Sequence, residues 1–81
     1  MSHRDPTQLH LCRINAVLNM RRFYTLSIQP TLFGGASVVR HWGRIGAGGQ
    51  SMIETFDLPQ EADRALSRLE RRKRGRGYVN R

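Results

Sequence analysis

Three side chains at alternate positions, Arg40, Trp42 and Arg44, carry the most pointed chemistry in this 81-residue chain. On an extended strand, residues two apart share a face and lie about 7 Å from one another. A flat indole between two guanidiniums can stack on a base or sugar while the cations hold neighbouring phosphates. Trp42 also fits the ordinary role of a core tryptophan. Arginines at both i−2 and i+2 are poor core neighbours, which favours the platform.

A second group lies near the C-terminal end, in Arg71-Arg72-Lys73-Arg74-Gly75-Arg76. Five positive charges in six residues exceed what a helix end needs to satisfy its dipole. Lys73, Arg74 and Arg76 are therefore candidate phosphate contacts. Over the whole chain 14 Lys and Arg face 6 Asp and Glu, a formal net charge of +8. All but Lys73 of these cations are arginines, whose planar fork grips phosphate bidentately. The balance points to a polyanionic partner, with nucleic acid ahead of an anionic membrane surface.

Other chemistries find little support. No paired acids, no Ser-His-Asp set and no metal-ligand spacing are present, so no enzyme, cofactor or small-molecule substrate is expected. His3, His10, His41 and Cys12 lack the spacing of a zinc site. The glycines from Gly43 to Gly49 lead from strand to strand rather than into a helix, so they read as a hairpin turn and not a phosphate loop. A single cysteine excludes an internal disulfide. No stretch approaches the ~20 apolar residues of a membrane span. The expectation is a soluble, cytoplasmic, free-standing protein.

The elements that must position these groups follow from periodicity. Residues 1–8 read as a loose N-terminal arm and 9–81 as a single domain. Strands are expected over 9–14, 22–29, 37–44 and 50–56. In the second of these Tyr24, Leu26 and Ile28 alternate with polar residues. An Asn-bearing turn, including Asn15 and Asn19, joins the first two strands. The pair Gly34-Gly35 turns between the next two. A helix is expected over 59–73, with Leu58, Ala62, Ala65, Leu66 and Leu69 as its apolar stripe. Asp57 and Gln60 could form a capping box around Pro59, and Gly75 would end the helix. The fold class is α+β, a sheet of about four antiparallel strands with one C-terminal helix packed on it. Leu66 and Leu69 should be buried against the sheet. The Arg40-Trp42-Arg44 face should be the one opposite the helix, or a rim beside the helix end, with the indole partly open.

The segment Arg40-His41-Trp42-Gly43-Arg44-Ile45-Gly46 contains the signature of the WGR domain family, and the chain resembles that family over roughly residues 9–78. Arg22-Phe23-Tyr24 with Leu26, Ile28 and Gln29 is similar to its aromatic-led strand. Leu32-Phe33-Gly34-Gly35, Gly49-Gln50, Phe56, Glu61-Ala62, Lys73 and Arg76-Gly77-Tyr78 fall where the family has similar residues. The resemblance implies a curved antiparallel sheet with one helix. It also implies binding of DNA near strand ends, as WGR domains do in DNA-dependent poly(ADP-ribose) polymerases. Trp42 would pack on the terminal nucleotide and Arg44 would reach phosphate or a neighbouring domain. Lys73 would touch the backbone, and Asn15 and Asn19 would lie near the terminal phosphate. No transferase domain or zinc finger accompanies the signature. A protein-docking role, toward a partner enzyme or a second copy, is the alternative the same strand allows.

Overall fold

The computed structural model describes residues 8–81. The arm expected over 1–8 lies outside the described residues except for Gln8, which opens the first strand; His3 also lies outside them. The elements are β1 (Gln8–Asn15), β2 (Met20–Pro30), β3 (Ala36–Arg44), β4 (Gln50–Phe56), α1 (Pro59–Gly75) and β5 (Val79–Asn80). They form one antiparallel sheet in the order β4-β3-β2-β1-β5, with the single helix on one face. The architecture is α+β, with a fifth strand that the sequence pattern does not reveal. At two residues β5 is too short to show a period, yet it pairs Val79 with Cys12 and Asn80 with Leu11.

Alternation decides which face is core. Leu11 of β1, Tyr24 and Leu26 of β2, and Ala36 and Val38 of β3 point to one side and are buried there with Ala62 and Ala65 of the helix. Small helix residues let α1 approach the sheet closely. Leu66 and Leu69, expected to be buried, are only half-buried and pack on the flank of this cluster. The stripe is centred on the two alanines, so the leucines fall at its margin. Leu58 lies outside the stripe altogether, 51% exposed.

The helix ends differ from expectation in detail. Leu58 occupies the N-cap position with no side-chain capping bond. Asp57 therefore stands one residue too early for a capping box with Gln60, and Pro59 opens the first turn. At the other end the Tyr78 N–H donates to the Lys73 carbonyl at 3.1 Å and the Gly77 N–H to the Arg74 carbonyl at 3.0 Å. This pair of bonds is a Schellman closure, with Gly77 at φ +98° as its left-handed residue. The helix span ends at Gly75, but the glycine that reverses the chain is Gly77. The reversal delivers Tyr78 into the core, edge-on to Tyr24 at 6.2 Å, and then lays β5 along β1.

Candidate nucleic-acid interface

Register sets the signature residues. Tyr24 lies opposite Trp42, Leu26 opposite Arg40, Ile28 opposite Val38 and Arg22 opposite Arg44. Val38 is 1% exposed in the helix-covered core. Residues at even positions of β3 share its face, so Arg40, Trp42 and Arg44 are on the helix side. The expectation that they face away from the helix is thereby overturned, while the alternative, a rim beside the helix end, holds. The physical reason is length: β3 runs past the helix, so one face serves as core around Val38 and as open rim around Trp42.

At that rim the side chains converge. The Tyr24 and Trp42 rings stack with centroids 6.1 Å apart and 26° between planes. The Arg40 guanidinium stands 5.8 Å from the centre of the Trp42 ring. From the last turn of α1 the Lys73 Nζ reaches over Tyr24, 4.5 Å from the ring centre, and over Tyr78 at 5.4 Å. Tyr24, Arg40, Trp42, Leu69, Arg72 and Lys73 line a pocket of about 240 Å³. Leu69, Arg72 and Lys73 come together because residues three and four apart share a helix face. Trp42 itself is half-buried.

The field in this pocket is positive. Partial burial lowers the Lys73 ammonium below the ordinary lysine range, and the charges of Arg76, Arg40, Arg72 and Arg22 push it further down. Among the described residues Arg74–Glu70 is the only ion pair. No carboxylate of that set lies within contact distance of Arg40, Arg72 or Lys73. An anion would supply the missing countercharge.

Of the residues singled out from sequence, Arg40, Trp42 and Lys73 share the pocket. Arg44 lies one step further along β3, its guanidinium donating to the Asn19 backbone carbonyl at 3.3 Å and to Asn19 Oδ1 at 3.5 Å. Asn19 holds φ +50° in the β1–β2 turn. Asn15 accepts the Leu18 N–H at 3.2 Å through Oδ1 and so shapes that turn from its other end. Arg76 follows the helix as its C-cap, close enough to influence Lys73. Arg74 is engaged elsewhere, with Glu70 at 2.9 Å and Asn80 Oδ1 at 2.6 Å. Sequence reasoning missed Arg22 and Tyr24 as members of the site, and marked Arg72 only as part of the basic run from 71 to 76. Tyr24 was legible only as a core residue of β2, and its role emerges from pairing with Trp42.

The middle residue of the signature, Gly43, has a packing reason. A Cβ there would lie 2.7 Å from the Gly49 Cα and 3.4 Å from Phe23 Cε1. On this second face Phe23 meets the edge of His41 at 5.1 Å, and His41 Nε2 is 2.7 Å from the Gly48 carbonyl oxygen. The glycine hairpin thus folds back over β3 and braces the strand that carries Trp42. Among the described residues no group of three His, Cys, Asp or Glu is arranged to hold a metal, and no helix is long and apolar enough to cross a membrane.

An uncharacterized protein of Sinorhizobium fredii, y4dW, is 44% identical over 74 residues, covering 91% of this chain. The chain spans 36% of that relative's length. No solved structure matches significantly. The family model of the WGR domain matches residues 7–81, so the chain belongs to the WGR domain family.

Proposed function

We propose that this domain binds nucleic acid, duplex DNA near a strand end or nick in particular, and acts without catalysis of its own. The observation that carries the reading is the half-buried Trp42 beside Tyr24 in an open pocket ringed by Arg40, Arg72 and Lys73. A terminal nucleotide presents a free ring face that can enter the pocket and stack, a contact worth about 1–3 kcal/mol. The cations meet the phosphates on either side, and Arg44 and Arg76 extend the track beyond the pocket. A continuous duplex keeps its bases stacked inside and offers only the phosphates. No cofactor or small molecule takes part, and the setting is the cytoplasm.

Fluorescence-polarisation titration of blunt-ended, nicked and closed circular duplexes tests this. Engagement of around five phosphates gives a log–log salt slope of roughly −4 to −5. Affinity should be greater for blunt and nicked DNA than for circles. Folded protein that fails to bind at ~50 mM salt sinks the reading. The alternative, a protein-docking module, draws support from Leu32 and Phe33, which stand 95% and 96% exposed on the β2–β3 turn. Binding lost on changing those two, with DNA affinity absent, would favour docking.

A further inference from the structure

The two edges of the sheet are treated differently. β5 covers part of β1 on one side, and the Arg81 N–H donates to the His10 carbonyl. On the other side β4 is open among the described residues. Its sequence, Gln50 to Phe56, has no proline, no lysine and no glycine, and every residue except Phe56 is exposed. Protein sheets usually blunt such an edge, because its free backbone groups template another strand.

The direction of those groups follows from the register. The Ile45 N–H donates to the Arg21 carbonyl at 2.8 Å, so odd positions of β3 bond toward β2 and even positions toward β4. Gln50, Met52, Glu54 and Phe56 pair with those even positions and bond inward. Ser51, Ile53 and Thr55 therefore turn their N–H and C=O groups to the open edge.

We infer that β4 is a self-association edge, which pairs antiparallel with β4 of a second copy about a two-fold axis at Ile53. In that register Ile53 faces its own counterpart and Ser51 faces Thr55, giving about six backbone hydrogen bonds. Side chains on the helix face settle the choice of occupant. Glu54 would lie opposite Met52 of the second copy. Arg40 is the cross-strand neighbour of Met52, and its guanidinium already reaches the Met52 sulfur. Each Glu54 thus stands two strands from the Arg40 of the other copy, about 10 Å between backbones and within reach of the two long side chains past Met52, and the two-fold makes two such pairs. Glu54 is the one charge on β4; Arg40 of its own chain is a diagonal neighbour across the ladder, and a second copy adds another cation on the open side. Arg40 also lines the candidate pocket, so the seam lies next to both pockets of the pair.

A two-strand seam is a small interface, of the weak and reversible class below ~1,200 Å², and it must overcome the repulsion of two domains at +8. Sedimentation velocity on the 81-residue protein, from micromolar to near-millimolar at physiological salt, reads it directly. The wild type should pass from monomer to dimer. Glu54→Arg brings like charges together across the seam, twice over by the two-fold, and should weaken the dimer about tenfold. The double variant Arg40→Glu with Glu54→Arg restores opposite charges and should recover association to within about threefold. Ile53→Pro removes an outward donor, the place where an edge strand tolerates proline, and should also abolish the dimer. Circular dichroism identifies any variant that does not fold; Glu54→Gln then replaces Glu54→Arg and should weaken association by a smaller factor. A folded wild type that stays monomeric throughout overturns the inference. So does a dimer indifferent to both Ile53→Pro and the Glu54 change, which would place the contact elsewhere.

Discussion

The Lys73 ammonium sits 4.5 Å from the centre of the Tyr24 ring, which joins the last turn of α1 to the middle of β2 across the open end of the core. That contact puts the pocket's only lysine over the ring that also backs Trp42. The same residue is thus a lid on the aromatic pair and a charge facing the pocket.

Trp42→Ala should narrow the difference in affinity between blunt-ended and closed circular DNA, since it removes the stacking surface and leaves the phosphate contacts. Arg44→Ala should weaken both substrates alike, because phosphate contacts carry no end preference. A four-way titration of wild type and Trp42→Ala on the two substrates decides. Equal weakening of both by Trp42→Ala would make the indole a structural residue.

Lys73→Ala should weaken DNA binding several-fold with little change in melting temperature. Its lowered pKa sets the sign of a pH effect. Between that lowered value and the ordinary lysine value the unfolded chain binds the proton and the folded chain does not, so this group's contribution to stability rises with pH across the window. DNA affinity should move the opposite way, falling as Lys73 loses its charge. Binding at alkaline pH should take up a proton, seen as a buffer-dependent enthalpy in calorimetry that Lys73→Ala abolishes.

Arg74→Ala should affect DNA affinity less than Arg72→Ala. Arg74 is held by Glu70 and Asn80, whereas Arg72 lines the pocket. Parallel titrations that show the reverse order would move the phosphate track off the pocket and onto the outer side of the helix.

Core substitutions should separate by depth. Leu11→Ala removes a fully buried side chain and should cost about 2–5 kcal/mol. Leu66→Ala, at the half-buried flank, should cost less. Ala65→Leu forces extra volume where the helix meets the sheet and should cost about 1–3 kcal/mol. Urea denaturation at constant m-value orders the three.

Gly43→Ala should destabilise the β3–β4 hairpin, because its Cβ would collide with the Gly49 backbone rather than with a mobile side-chain end. Loss of stability together with loss of DNA affinity, each in proportion, is the expected result. A stable Gly43→Ala protein with unchanged binding would show that the hairpin yields without disturbing Trp42.

By itself the sequence determined the four long strands, the helix and the positive charge. Each rests on local rules: the period-two pattern of Tyr24, Leu26 and Ile28, the helical spacing of Ala62, Ala65 and Leu69, and the run of cations from 71 to 76. It also marked Arg40, Trp42 and Lys73, because their residue types are costly to place without a purpose. Only the tertiary structure decided on which face these side chains lie. Alternation makes Val38 and Trp42 share a face, but which face the helix covers depends on the fit of Ala62 and Ala65 against Leu11, Leu26 and Val38, a non-local matter. The same holds for Tyr24 beside Trp42, for Arg22 and Arg40 in the field at Lys73, and for β5. Each comes from cross-strand register or chain reversal at Gly77, which no single segment encodes.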